Sequence, residues 1–301
     1  MCGIVGLYLK NPSLENRLGA LFSPMLIEMT DRGPDSAGFA IYGNEVADGY
    51  VKLSLQHSDD SFSWTDLAAW LTNKIGEEAD LSENATAAVI RVKTTEFAVR
   101  HLLEENYSDL RIMSIGRGIE IRKEIGLPQM VSDRFGLPDM KGTHIIGHTR
   151  MATESAVTTE GSHPFSTGMD LCLVHNGSLS NHNRLRSWLE RQNIKFKTDN
   201  DTEVAAGYLS WHLQKGATLR KALESALYDL DGFYTFAVGT REGFAVLRDP
   251  IACKQAVMAE TDDYVAMATE FRSLAGLPGI ENARIWEPEP GLVYSWGRKA
   301  A

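Results

Sequence analysis

The chain has 301 residues, 43% hydrophobic and 23% charged, with a formal net charge of −10. That size and composition suit one large globular domain, or one domain carrying an insertion. The excess of acid argues against a nucleic-acid partner or an anionic membrane surface, both of which need clustered Lys and Arg.

The apolar run from residue 2 to 9 predicts a short buried strand at the chain start. Residues 15–30 carry Leu18, Leu21, Phe22, Met25, Leu26 and Met29, the three-and-four spacing of an amphipathic helix. A turn-rich segment, Asp31-Arg32-Gly33-Pro34-Asp35-Ser36, follows. A strand is predicted over Ser36 to Tyr42, closed by a Gly43-Asn44 turn. Residues 51–140 differ in character, with helices expected at Leu67 to Ile75 and Phe97 to Glu105. Strands are expected there at Ala87 to Val92 and Arg111 to Ile115. This pattern predicts a small α/β insertion, with Trp64, Leu67, Trp70, Val89, Ile90 and Ile112 as its core and a partner subunit as its contact. Gly116-Arg117-Gly118 is too short for a phosphate-binding loop. From His144 strands alternate with loops to Val174. Helices are then expected over Asn181 to Gln192, Asp201 to Lys215 and Leu219 to Leu227, with strands at Gly232 to Val238, Phe244 to Arg248, Ala256 to Met258 and Val265 to Ala268. Hairpin strands and paired helices predict a layered α+β architecture.

No stretch approaches about 18 apolar residues, so no membrane span is expected. No basic-then-apolar leader is seen. The three cysteines, Cys2, Cys172 and Cys253, are no disulfide framework, and they are too few for an internal four-cysteine iron–sulfur cluster. A reducing cytoplasm is expected. No CxxC or paired-histidine spacing suggests a metal site. Cys172 reads as inert core and Cys253 as structural.

Cys2 carries the most chemistry. Removal of Met1 places a thiol and a free α-amine on one residue, with unperturbed pKa values of about 8.5 and about 7.7–8.0. That is a nucleophile with its own base. Taken alone, Cys2-Gly3 reads equally as an accidental cysteine at a chain end. Four further segments are polar or Gly-rich where a core would be apolar. They are Arg32 to Ser36, Gly147-His148-Thr149-Arg150-Met151-Ala152-Thr153, His175-Asn176-Gly177, and Thr198-Asp199-Asn200-Asp201-Thr202-Glu203. Asn176-Gly177 suits a hairpin turn as well as an amide pair facing an oxyanion. Asp201 at a helix start suits an N-cap as well as an ammonium ligand.

In this order, these segments resemble the class II glutamine amidotransferases, which are N-terminal-nucleophile hydrolases. The resemblance covers residues 2–43 and about 144–272, and leaves out 51–140. It implies a four-layer αββα sandwich and hydrolysis of L-glutamine through a γ-glutamyl thioester on Cys2, with Asn176 and Gly177 forming the oxyanion hole. It also implies Arg150 for the substrate α-carboxylate, Asp201 for the α-ammonium, Thr153 as a further substrate contact and Arg32 beside the nucleophile. Asp35 and Ser36 would brace the Arg32 loop, and the loop from Thr153 to Pro164 would fold over glutamine. Where relatives carry an aromatic and a histidine, this chain has Met151 and Glu154. His163 is a further base candidate that the α-amine makes unnecessary. No metal or organic cofactor is implied in this chain. Glutaminase subunits of glutamate-synthase-like complexes, the N-methylglutamate synthase A subunit above all, are the nearest resemblance. Partner synthase subunits there receive the nitrogen and carry flavin and iron–sulfur clusters. A catalytically silent structural or regulatory subunit is the alternative.

Overall fold

The computed structural model describes residues 2–152 and 156–297. In chain order the first elements are β1 (Gly3–Leu9), α1 (Leu18–Ile27), β2 (Ser36–Tyr42), β3 (Tyr50–Gln56), α2 (Trp64–Ile75), β4 (Asp80–Asn84), β5 (Ala87–Lys93) and α3 (Glu96–Asn106). Next come β6 (Arg111–Gly116), β7 (Ile119–Ile125), α4 (Pro128–Phe135), β8 (His144–Arg150), β9 (Phe165–Gly168), β10 (Leu171–Leu179), α5 (His182–Glu190), α6 (Asp201–Gln214) and α7 (Leu219–Asp229). The last third holds β11 (Gly232–Thr240), β12 (Gly243–Arg248), β13 (Val257–Glu260), β14 (Tyr264–Ala268), β15 (Arg284–Trp286) and β16 (Val293–Gly297).

Two antiparallel sheets form the body. One has the order β15-β13-β14-β1-β8-β2-β7 and the other β16-β12-β11-β10-β9. Their inner faces meet in a core containing Ile4, Tyr8, Ile146, Val174, Phe244, Val246 and Met267. The outer face of the first sheet, with Val5, Leu7 and Ile145, is covered by Phe22, Leu26 and Phe135 from α1 and α4. The outer face of the second, with Leu173 and Phe236, is covered by Leu189, Leu209 and Leu223 from α5, α6 and α7. This is the expected αββα sandwich. β1 shows why its sequence is almost wholly apolar: alternate residues enter different cores, Ile4 and Tyr8 inward, Val5, Leu7 and Leu9 outward.

Two expectations change. The helix expected over 15–30 is α1 alone, because Pro12–Arg17 forms a 3-10 turn capped by the Asn11 side chain, which accepts from Ser13 N at 3.0 Å. The expected insertion at 51–140 divides. Its first part builds a third sheet, β4-β5-β3-β6, whose core holds Leu53, Leu71, Ile90, Val99 and Leu103. Residues 119–140 instead belong to the body: β7 pairs with β2 along its length, and Val131 and Phe135 of α4 join the core under α1. Arg122 and Lys123 give β7 the composition of a solvent-facing segment, yet both are buried. Finally, Gly116-Arg117-Gly118 is the turn between β6 and β7. The Asp170 carboxylate accepts from the amides of Arg117, Gly118 and Ile119 at 2.8–3.1 Å, so the turn already holds an anion from its own chain.

Phe244 lies between the two body sheets, against Gly6 and stacked on Tyr8 and Trp296. Phe244→Ala is expected to destabilise the chain by about 3–5 kcal/mol, the usual cost of an aromatic-sized core deletion. Urea unfolding measures this; a loss under about 1 kcal/mol would contradict the packing described.

Candidate active site

Cys2 immediately precedes β1, which runs between β8 and β14 with Gly3 opposite Thr149. Ile4 N donates to Thr269 Oγ1 at 2.8 Å, and Thr269 N donates to Ile4 O at 2.9 Å. The start of the strand is therefore held on both edges. Cys2 itself is partly exposed. Its carbonyl accepts from Asn176 Nδ2 at 3.1 Å and from Arg32 Nε at 3.3 Å. Arg32 also pairs through Nη1 with Glu270 at 2.8 Å. Its loop lies against β8 so closely that a Cβ on Gly33 would sit 2.3 Å from the Thr149 carbonyl carbon, which only glycine permits. Asp35 braces the same corner, its Oδ2 accepting from Ala152 N at 2.7 Å. The Ser36 side chain is buried and makes no hydrogen bond among the described residues.

Asn176 and Gly177 are neither a hairpin turn nor at a strand-to-loop edge. They lie inside β10, opposite Thr235 and Tyr234 of β11. Gly177 adopts φ +147°, and a Cβ there would meet the Phe233 carbonyl at 2.0 Å. A glycine is required for the strand to continue, and its peptide is thereby turned out of the regular ladder conformation.

Arg150 ends β8, is buried, and donates from Nη1 to Ala156 O at 3.3 Å. Asp201 opens α6 but is not its cap. Asn200 is, accepting from Thr202 N at 2.8 Å. The Asp201 carboxylate is thus free of capping duty, and its Oδ2 accepts from Leu179 N at 2.9 Å across the cleft end of β10. Burial pushes this carboxyl up, but His175, the Leu179 amide and His182 outweigh it and bring the group down to about 2. It is an anion at any working pH, at the positive end of a helix. Thr153 lies outside the described residues.

Behind these groups is a histidine layer that sequence reasoning did not assemble. His148 of β8 bonds through Nε2 to the His175 carbonyl of β10 at 3.0 Å, tying one sheet to the other beside Asn176. The His163 ring packs at a tilt on His148 with centroids 3.9 Å apart, and its Nε2 meets Thr202 Oγ1 at 3.1 Å. His175 Nδ1 meets the same hydroxyl at 3.0 Å. Burial pushes His148 down to about 3 and His163 well below its ordinary value, so both are neutral imidazoles. Glu203 was also missed. It accepts from the amides of Lys197 and Thr198 and so shapes the turn into α6. The pattern Thr198 to Glu203 contained that signal, since a carboxylate at the third helical position can bond back before the cap.

Cys172 is buried, with its thiol pushed by burial up to about 12, whereas Cys253 is exposed and not part of a core. Among the described residues no group of His, Cys, Asp and Glu could hold a metal ion, and no helix is long and apolar enough to cross a membrane. A cleft lined by Tyr8, Tyr42, Lys141 and Arg241 opens at the opposite ends of β1 and β2, away from Cys2.

A family model described as a glutamine amidotransferase domain matches residues 148–276. The glutamine amidotransferase-like protein GlxB of Rhizobium meliloti (strain 1021) is 57% identical over 302 residues, covering 100% of both chains. Two solved structures share the fold. A glutamine phosphoribosylpyrophosphate amidotransferase from B. subtilis has a TM-score of 0.62 at 20% identity. The structure titled the allosteric regulatory enzyme of purine biosynthesis has 0.64 at 20%. Each match covers 99% of this chain, which spans about half the length of those chains, 48% and 47%.

The buried histidines set an acid limit on stability. Burial also holds His144 down to about 4, against the Thr240 and Gly243 carbonyls. A histidine kept neutral in the fold binds fewer protons than the unfolded chain, whose value is about 6.5. Stability is therefore expected to fall as pH drops from about 6.5 toward 4, by up to about 1.4 kcal/mol per pH unit for each such residue. Urea unfolding from pH 7 to 4.5 checks this, and His144→Gln should show a shallower slope. A flat profile in the parent chain contradicts it.

Proposed function

The chain belongs to the glutamine amidotransferase family, and from that premise we propose that it hydrolyses L-glutamine to glutamate and ammonia through a thioester on Cys2. The observation that carries this reading is the convergence on Cys2. The Asn176 amide and the Arg32 guanidinium both meet its carbonyl, and Asp201 accepts from Leu179 N at the end of the strand that bears Asn176 and Gly177.

The chemistry begins with loss of Met1, which frees the Cys2 amine. That amine, directly or through a water, takes the thiol proton, and the thiolate attacks the side-chain amide of glutamine. Negative charge gathers on the amide oxygen in the tetrahedral intermediate, where the Asn176 amide and the Gly177 N–H stabilise it. The amine then protonates departing ammonia and activates the water that cleaves the thioester. Arg150 holds the substrate α-carboxylate through its planar fork, and Asp201 holds the α-ammonium. Arg32, neutralised by Glu270, keeps the nucleophile's backbone in place. Thr153 adds a substrate contact.

The glutaminase serves a multisubunit synthase that uses the released nitrogen, a glutamate-synthase-like complex whose other subunits carry flavin and iron–sulfur clusters. By resemblance alone, we take that assembly to be N-methylglutamate-synthase-like. In it, the third sheet, β4-β5-β3-β6, is the surface offered to a partner subunit.

Cys2→Ala is expected to abolish glutamate release while leaving the thermal transition within a few degrees, since it deletes one partly exposed sulfur. Intact mass of the parent chain should show Met1 removed. Substantial glutaminase activity in the variant would falsify the nucleophile assignment.

Two substitutions should separate binding from chemistry. Asn176→Ala is expected to lower kcat by about 10²–10³ with little change in KM. Arg150→Lys is expected to raise KM by about 10-fold or more, because a point charge cannot copy the bidentate fork. Steady-state kinetics on glutamine decide it; the same pattern in both variants would refute the division of roles.

A further inference from the structure

The segment 156–164 follows Arg150 and precedes β9, and it lies directly on that arginine. Ala156 O accepts from Arg150 Nη1, and a Cβ added to Gly161 would sit 3.5 Å from the same nitrogen. Its other side is held by residues remote in sequence. Thr159 Oγ1 donates to Glu124 Oε1 of β7, and Glu124 Oε2 accepts from Gln56 Nε2 of β3 at 2.8 Å. Arg111 of β6 pairs with Glu160. Lys123 of β7 reaches beneath the segment and donates to the carbonyls of Glu160, Ser162 and Pro164 at 3.0, 2.6 and 3.3 Å. Gln56 and Arg111 both belong to the third sheet, β4-β5-β3-β6, which the family motifs do not include.

We propose that this third sheet is the seat of the substrate loop. Gln56 and Arg111, acting through Glu124 and Glu160 with Lys123, are positioning residues that hold 156–164 against Arg150 and so set the affinity for glutamine. The inference rests on the proposed role of Arg150. Its physical basis is satisfaction of buried polar groups. Lys123, brought down to about 7 by burial, has three donors in its protonated form, and the loop offers three carbonyls. Gln56, Lys123, Thr159 and Ser162 are all buried, so a loop that shifts gives up several buried hydrogen bonds at once. The loop is therefore held in one arrangement rather than a range of them. Inside it, Ser162 Oγ donates to Thr158 O at 2.8 Å and Gly161 N to Thr158 Oγ1 at 3.0 Å, which passes the constraint along its length. A partner subunit that moves the third sheet would act on glutamine binding through the same bonds.

The test uses the full chain with Arg111→Ala, Arg111→Lys and Thr159→Val. Arg111 is a quarter exposed and Thr159→Val keeps the side-chain shape, so the fold should survive in each. Arg111→Ala and Thr159→Val are expected to raise KM for glutamine about 10-fold with kcat within about twofold, and Arg111→Lys to restore most of the affinity. Amide hydrogen exchange in 156–164 should rise in the first two variants and leave the β1 and β10 amides unchanged. Parent-like KM and parent-like exchange overturn the proposal, as does faster exchange with unaltered KM. If the parent chain hydrolyses no glutamine, the functional reading fails on its own account. Exchange then judges the seat separately, and unchanged protection of 156–164 overturns it.

Discussion

Everything at the site depends on two sheets packing face to face with the ends of β1, β8 and β10 brought together. The inner core of Ile4, Ile146, Val174, Phe244 and Met267 supplies the burial that holds them. Near the site that apolar packing gives way to directed bonds, from His148 on the first sheet to the His175 carbonyl on the second and from Asn176 on the second to the Cys2 carbonyl at the edge of the first. A hydrogen bond has a direction and a length, whereas apolar contact has neither. The His148 bond thus helps fix the placement of Cys2, on the strand paired with β8, relative to Asn176, the residue after His175 on β10. Burial keeps the imidazole neutral, so the tie places no unpaired charge between the sheets.

A second constraint follows from the first. A nucleophile on a chain terminus is of use only if the terminus is ordered, and termini ordinarily fray. Here β1 is an interior strand with partners on both edges, and the Ile4–Thr269 bonds close its first turn of ladder. Asn176 and Arg32 hold the Cys2 carbonyl just before the strand. The proposed role of Cys2 thus has a structural counterpart in the position of β1 within the sheet.

The division of labour among carboxylates and histidines illustrates how similar side chains take different roles. Asp35, Asp170 and Glu203 each accept backbone amides and shape turns. Asp201 accepts one amide and remains partly open to the cleft, because Asn200 takes over the cap. None of this is written in residue type. It depends on which amides the fold leaves without partners nearby.

The sequence by itself determined the local elements whose burial is regular. β1 and β2, with apolar residues entering cores on both sides, were legible as strands, and α6 and α7 were legible from their spacing and starts. The chemical inventory was also legible: Cys2, Arg32, Arg150, Asn176, Gly177 and Asp201 stand out because polar or glycine residues interrupt otherwise apolar runs. Tertiary structure alone decided what those residues face. β7 was hidden because Arg122 and Lys123 are buried against partners far along the chain, so its composition mimics a surface segment. Asn176-Gly177 looked like a turn because the dipeptide favours one, and only pairing with β11 keeps it inside a strand. The physical reason is the same in each case. Periodicity and propensity report burial and backbone preference within a few residues, whereas a bond between residues dozens to hundreds apart depends on how whole sheets stack, and no short window of sequence contains that information.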